Sequence, residues 1–295
     1  MKKKFLAFSI LLGWLLATPS YASNINDFSC VLPYDLSKSF SSKASKFSGA
    51  NLAASKVAGS ILKSQISKNA DGKFNVKVDS YSVPDLKEGR FRGLEIKGKN
   101  VVAEGVYFSA IDMKTLCDFN YIVYNKSNSS IVFKEDFPMS FSVTFSESDL
   151  NNTMQAKGYL KMIDKMNDFG KKYSLYEIVS TTSWLKENKF IYAFNVKFPI
   201  FGGSSVHTLA LRSDLIVDDG KVVMKNPELI NAYAKISLSK LTKAFEYLNP
   251  FVYSLDIMED ENAQVIVRNV NIVNNKINIS GVVNVPKGVL TQHKG

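Results

Sequence analysis

The feature that most constrains the fold of this chain is a strict alternation of apolar and polar residues. It is cleanest between Met139 and Phe145, where Met, Phe and Val alternate with Ser and Thr. Successive side chains of a strand point to opposite faces, so this pattern predicts a strand with one apolar and one polar face. Strands are also predicted over 74–78, 89–101, 105–117, 120–133, 190–198, 215–217, 222–224, 265–273 and 276–285. Turn residues at Asp218-Asp219-Gly220 and Asn274-Asn275 predict antiparallel hairpins.

Helical periodicity predicts three helices between these strands. The first extends over about 43–67 as an amphipathic helix. The second begins at Ser146, three residues before Asp149 in a capping-box-like pattern, and continues to about 166 with a bend expected at Gly158. The third covers 238–248 and is stopped by Asn249-Pro250. Because strands and helices do not alternate strictly, these patterns predict an α+β fold with an antiparallel sheet packed on helices.

The N-terminus has the three regions of a secretory signal peptide. Lys2, Lys3 and Lys4 precede an apolar run at 5–17, and Ser20-Tyr21-Ala22 supplies small residues for cleavage. We therefore expect residues 1–22 to be removed and the protein to work in the periplasm or on the extracellular face of the cell envelope. An irregular lead-in at 23–42 and a single domain at 43–295 are expected to follow.

The charge balance of the chain is moderately basic. The full sequence carries +10, and residues 1–22 hold three lysines and no acidic residue, so the remaining 273 residues carry +7. No later apolar run is long enough for a membrane span. No cysteine directly follows the apolar run, so a lipid anchor by that route is not expected.

Only two cysteines are present, Cys30 and Cys117, and both follow the signal sequence. In an oxidising compartment they are expected to form one disulfide, although two separate buried thiols are the alternative. No metal site is expected, because His207 and His293 are the only histidines and neither has ligand spacing to a cysteine.

Motifs typical of enzymes are absent from the sequence. There is no nucleophile elbow, zinc-protease motif, phosphate-binding loop or dinucleotide fingerprint, so no catalytic residue and no cofactor are assigned. A hydrolase would have to depend on His207, which is better interpreted as a surface or strand histidine. We therefore predict a non-enzyme.

Two groups of residues are candidates for binding an amphiphile. The basic residues Arg90, Arg92 and Lys97 belong to a stretch that can meet anionic headgroups or an anionic membrane surface. Apolar residues of the predicted helices and sheet faces either line an acyl-chain groove or form ordinary core: Ile61, Leu62, Phe141, Val143, Leu150, Met154, Ile163 and Phe194. Nucleic acid is not expected as a partner, because aromatic residues do not interleave with the basic ones.

One stretch of the chain resembles a known family. Between Tyr81 and Val106, Pro84 is followed by a glycine–aromatic stretch at 89–93, a strand and Gly105, and Phe108-Ser109-Ala110-Ile111-Asp112 continues the pattern. With the segment at 145–151, the hairpin at 219–220 and the segment at 267–281, this resembles the LmeA-like family of exported phospholipid-binding proteins. The resemblance extends over roughly 50–285. It implies a curved antiparallel sheet around a long helix, as in tubular lipid-binding proteins, and no catalytic residues.

Two functional hypotheses from different classes follow. In the first, an exported phospholipid-binding protein holds acyl chains in an apolar groove and serves the transport or maintenance of envelope lipids or glycolipids. In the second, the sheet faces are fully packed and the protein is a non-enzymatic envelope scaffold or protein-interaction module.

Overall fold

The computed structural model describes residues 29–37, 50–125, 130–172, 176–198, 205–230, 247–257, 263–288 and 290–291. The predicted signal peptide, the first residues of the helix expected over 43–67, most of the helix expected over 238–248, and His293 lie outside these ranges.

Five helices lie within the described ranges. They are α1 (Ala50–Ile66), α2 (Val83–Lys87), α3 (Glu147–Met154), α4 (Lys157–Lys172) and α5 (Pro250–Ile257). The strands are β1 (Asp71–Asp79), β2 (Arg90–Phe91), β3 (Gly93–Ala103), β4 (Val106–Thr115), β5 (Asn120–Asn125), β6 (Ser130–Phe133), β7 (Phe137–Ser146), β8 (Glu177–Lys186), β9 (Lys189–Lys197), β10 (Val206–Asp218), β11 (Lys221–Leu229), β12 (Gln264–Val273), β13 (Lys276–Val285) and β14 (Leu290–Thr291).

These strands form three sheets. The largest has the order β1-β3-β4-β7-β13-β12, the second β11-β10-β9-β8, and the third β14-β6-β5-β2. Within the described ranges every strand pair is antiparallel. The prediction of an α+β fold, with an antiparallel sheet on a few helices, is confirmed.

Four tight hairpins pair strands that are neighbours in sequence. Each has a two-residue turn in which both residues have positive φ, as at Asp219-Gly220 (φ 45° and 70°) and Asn274-Asn275 (φ 53° and 54°). Glu104-Gly105 and Glu187-Asn188 have the same geometry. Such turns match the twist of paired strands, so the turn signals in the sequence predicted the hairpins at 218–221 and 273–276 correctly.

A single backbone irregularity keeps β3 facing the core along its length. Leu94 and Ile96 are buried at even positions, whereas Val101 and Ala103 are buried at odd positions. Asn100, between these pairs, has φ 50°. Asparagine tolerates this left-handed conformation, and here the conformation coincides with the reversal of the alternation.

Helix α1 packs on β1 through small residues. A Cβ atom at Gly59 would lie 2.7 Å from the carbonyl oxygen of Val76, so only glycine permits this approach of the helix. Ser55 is buried on the same side, while Leu52, Val57 and Ile61 are more than half exposed. The predicted helix is therefore present over its described part, but of its apolar residues only Ile66 is buried and Leu62 half-buried, both toward its C-terminal end.

Helices α3 and α4 form the second predicted helix with an interruption. Ser146 and Asp149 make the expected capping box. The break lies at residues 155–156, just before the expected bend at Gly158. Gly158 instead lies against the hydroxyl of Tyr253, where a side chain would collide.

Four elements were not expected from the sequence: α2, β8, α5 and β14. Strand β8 carries the buried polar residues Thr181 and Ser183, which obscure its alternation. Helix α5 begins at Pro250, where the chain was expected to leave helical structure. Asn249 accepts a hydrogen bond from the Phe251 amide (3.0 Å) and caps α5, and proline suits the first helical position because it lacks an amide hydrogen.

The edge of β8 that faces away from β9 is paired with helix side chains. The amide of Asn167 on α4 donates to the carbonyl of Ile178 (2.8 Å) and accepts from its N–H (2.6 Å). Asn151 on α3 makes the same pair of bonds to Ser183 (3.0 and 2.9 Å), and Glu147 accepts from the Leu185 N–H (3.0 Å). These bonds join the four-stranded sheet to α4 and to α3, and α3 also contacts β4 and β7.

We predict that Asn167→Ala lowers the free energy of unfolding by about 2–4 kcal/mol, because it leaves the buried N–H and C=O of Ile178 without partners. Urea denaturation at neutral pH measures the change. Asn152→Ala, at an exposed position on the neighbouring helix, is the matched control and should change stability by less than about 0.5 kcal/mol. Equal losses in both variants would contradict the role given to Asn167.

Candidate functional site

The predicted disulfide is present and anchors the described part of the N-terminal lead-in. Cys30 and Cys117 are bonded, with Cα atoms 5.4 Å apart and a sequence separation of 87. Residues 29–37, which we call the strap, contain neither helix nor strand. Disulfides typically contribute about 2–4 kcal/mol to stability, and in the chain-entropy account a loop of this length lies near or slightly above the upper end of that range.

Side chains along the strap bind to the body of the protein. The Tyr34 ring lies 5.0 Å from that of Phe119 and 6.2 Å from that of Tyr121, and its hydroxyl donates to Glu135. The Ser37 N–H donates to Asp85 (2.8 Å). The strap is thus held at points beyond the disulfide.

Arg90, one of the three predicted headgroup residues, lies beneath the strap. Only 2% of it is exposed, and its guanidinium pairs with Asp35 of the strap (3.0 Å), with Asp85 (3.4 Å) and with Glu88. Burial opposes its charge, but the three carboxylates outweigh burial and raise its pKa. Because Arg90 is held by carboxylates inside the protein, the headgroup proposal depends on Arg92 and Lys97.

Arg92 lies in a cleft between the first turns of α1 and one corner of the six-stranded sheet. The cleft has a volume of about 600 Å³, within the range typical of ligand sites. Its basic lining residues are Lys77, Arg92 and Lys114, its acidic ones Asp79, Glu95 and Asp118, and its apolar ones Leu52, Val78 and Leu94; Asn51, Ser55, Gly93, Thr115 and Cys117 complete it. The strap disulfide therefore forms part of the wall.

The charges in the cleft are not all paired with one another. Glu95 binds Lys97 (2.7 Å) and lies 3.6 Å from Lys77, and the bond to Lys97 lowers its pKa despite partial burial. Among the described residues no carboxylate lies within 4.0 Å of Arg92 or Lys114. The Arg92 guanidinium instead lies over the Tyr81 ring, 5.0 Å from its centroid. Two cations are thus available to an anion in this cleft.

Lys97 lies just outside the cleft, on the exposed face of β3. It contacts Glu95 and Asp112 (3.4 Å), which raise its pKa. Arg92 and Lys97 therefore differ in their partners, and only Arg92 lines the cleft.

The eight predicted acyl-contact residues are distributed over the fold. Six belong to one continuous buried cluster and are at most 6% exposed: Phe141, Val143, Leu150, Met154, Ile163 and Phe194. Leu62 is half-buried against that cluster, and Ile61 is 57% exposed on α1. They do not line one open groove in the part of the chain that the structure describes.

His207 is exposed on β10, with its ring 6.1 Å from that of Phe198. No hydrogen bond from it to a serine or carboxylate occurs among the described residues. In the same ranges, no three His, Cys, Asp or Glu side chains are grouped to hold a metal ion. None of the helices described is long and apolar enough to cross a membrane.

Sequence reasoning missed Lys77 and Lys114 as site residues. They are far from Arg92 in sequence, but strand register aligns Lys77 with Glu95 and Glu95 with Lys114. The alternation of apolar and polar residues in β1 and β4 places both lysines on exposed strand faces. It does not show that these two faces lie next to each other in the sheet.

Comparison with protein-family models, curated proteins and solved structures finds no match to this chain. The resemblance to the LmeA-like family therefore remains a prediction from the segments quoted above.

We predict that the strap weakens between pH 10 and 12. The hydrogen bond to Glu135, with burial as the next cause, raises the pKa of Tyr34 from 10.0 to about 12. Between pH 10 and 12 the Tyr34 hydroxyl is therefore protonated in the folded state and deprotonated in the unfolded state. Stability from this bond is complete below pH 10 and is lost as pH rises toward 12.

The measurement is urea denaturation of wild type and Tyr34→Phe across this range. The variant should be less stable by about 1–2 kcal/mol at neutral pH, and the difference should shrink as pH rises. A difference that stays constant up to pH 12 would exclude this titration.

Proposed function

We propose that this chain is an exported phospholipid-binding protein that holds the headgroup end of an anionic lipid in the cleft. The observation that carries the proposal is the pair of cations, Arg92 and Lys114, in a cleft that also has apolar lining. A phosphate needs positive charge and hydrogen-bond donors, and the guanidinium of Arg92 supplies both.

The apolar part of the cleft supports an amphiphile over a free anion. Leu52, Val78 and Leu94 line the same volume as the cations, and Leu52 is 64% exposed. In this proposal the acyl chains begin at these residues. The interior cluster that contains Phe141 and Met154 is filled by side chains, so an acyl chain could enter it only by displacing core side chains.

Export is the second part of the proposal. The Cys30–Cys117 disulfide is typical of oxidising compartments outside the cytoplasm, and the N-terminal sequence has the pattern of a cleavable signal. Envelope phospholipid is the amphiphile available there. The role expected is transport or maintenance of envelope lipids or glycolipids, without catalysis.

A specific observation favours the scaffold alternative. On the outer face of the four-stranded sheet, Trp184 is 40% and Ile230 is 51% exposed, beside a hollow of about 460 Å³ that Ile191 also lines. Exposed large apolar side chains around a hollow are typical of protein contact sites. With the six predicted acyl-contact residues packed in the core, this hollow suits a protein partner.

We predict that the protein retains about one phospholipid per chain, and that Arg92→Gln lowers the retained fraction of anionic lipid about tenfold. Loss of a charged hydrogen-bond partner costs about 1.5–3 kcal/mol, which corresponds to tenfold or more. The measurement is native mass spectrometry of protein from an envelope fraction, before and after phosphatidylglycerol is offered.

Arg212→Gln is the matched control, because Arg212 is exposed and pairs with Glu228 (2.7 Å) on the other sheet. It should leave lipid retention unchanged, and Arg92→Lys should restore part of it. Bare protein in every sample would overturn the lipid proposal. Stoichiometric recovery of one envelope protein, lost in Trp184→Ala, would then favour the scaffold.

A further inference from the structure

The exposed faces of β1, β3 and β4 bring lysines together from three separate parts of the sequence. Strand register aligns Lys73 with Lys99, Asn75 with Lys97, and Lys77 with Glu95. Lys97 in turn is opposite Asp112, and Glu95 is opposite Lys114. We call these three rows the lysine face: Lys73, Lys77, Lys97, Lys99 and Lys114 with Glu95 and Asp112.

The lysine face is positive and only partly neutralised. Glu95 and Asp112 are the acidic residues in its rows, and Lys97 contacts both of them. No carboxylate of the described part of the chain lies within 4.0 Å of Lys73, Lys99 or Lys114. Asp79, in the next row, lies beside Arg92 of the cleft. Five lysines thus face two carboxylates.

The pair formed by Lys73 and Lys99 is unfavourable within the protein. Directly opposite residues of an antiparallel pair have Cβ atoms about 5 Å apart, and like charges at that distance destabilise the sheet. An acidic residue at either position would turn this repulsive pair into a stabilising one. An anionic partner bound to the face would offset the repulsion between Lys73 and Lys99.

We propose that the lysine face docks this protein on a membrane surface rich in anionic lipid. Strands in a sheet are about 4.8 Å apart, so the lysines form a broad, shallow array of charges that contacts many headgroups at once. Each lysine near such a surface adds about fivefold to binding, equivalent to about 1 kcal/mol. The disulfide favours a compartment where lipid headgroups, and not nucleic acid, present the anionic surface.

The proposal does not require the cleft to hold a lipid. Docking is an electrostatic contact of the sheet surface, whereas cleft binding depends on Arg92 and removes one lipid from the membrane. The two are separated by testing Lys73→Gln/Lys99→Gln and Arg92→Gln in both assays.

The experiment is co-sedimentation of the protein with vesicles of phosphatidylglycerol and phosphatidylcholine, and with vesicles of phosphatidylcholine alone. Wild type should bind only the anionic vesicles, and added salt should weaken binding because the charges are exposed. The Lys73→Gln/Lys99→Gln variant should bind about 25-fold more weakly, from about fivefold for each charge. Its Tm should be unchanged or higher, because the like-charge pair is gone.

Lys221→Gln/Lys225→Gln is the matched control, since both lysines are exposed on β11 of the other sheet and the change in net charge is identical. It should bind the anionic vesicles as wild type does. An equal loss in this control, or full binding by Lys73→Gln/Lys99→Gln, would overturn the proposal. Tighter binding of DNA than of anionic vesicles through the same lysines would overturn the membrane assignment.

Discussion

The pairing of β8 with side-chain amides is the interaction that positions the four-stranded sheet on the helices, and it adds to the direct contact of β12 with β10 and β11 in joining the two larger sheets. An edge strand leaves N–H and C=O groups without strand partners, and burying them unpaired is costly. Asn151 and Asn167 each present one donor and one acceptor, as a neighbouring strand would, and they do so from helices α3 and α4. Because α3 also contacts β4 and β7, the four-stranded sheet is fixed to the six-stranded one by hydrogen bonds of definite geometry as well as by apolar contact.

The elements that could be predicted from the sequence are those specified by local patterns. Strand β7 has uninterrupted alternation, and the hairpins at Asp219-Gly220 and Asn274-Asn275 have residues that tolerate positive φ. The elements that were missed depend on distant partners. Strand β8 has buried polar residues, Thr181 and Ser183, and its outer edge is paired by helix residues remote in sequence. The exposed apolar residues of α1 were expected to be buried. That expectation failed because α1 meets β1 through Gly59 at Val76, and this tertiary contact cannot be read from the helix sequence.

The candidate site shows the same division between local and distant information. Arg90 and Arg92 were treated alike, as neighbours in one basic stretch. In the fold their side chains have different environments. Arg90 is buried among Asp35, Asp85 and Glu88, whereas Arg92 lines the cleft. Nothing in the local sequence indicates that Asp35, 55 positions earlier, supplies a partner. The disulfide was predictable because composition left one possible pairing, whereas the cleft needed the strand register that places Lys77 and Lys114 beside Arg92.

The strand order of the six-stranded sheet also has a kinetic consequence. Strand β13 pairs with β7, joining Lys276 to Ser146, and all of the β8–β11 sheet lies between them in sequence. During synthesis the β7 edge therefore stays without its neighbour until residues 264–285 have left the ribosome. Folding that depends on such long-range pairing is slow, and an unpaired strand edge is prone to aggregate with other chains in the meantime. The six-stranded sheet is therefore completed only when nearly the whole chain has been made, which places its final pairing at the end of translation.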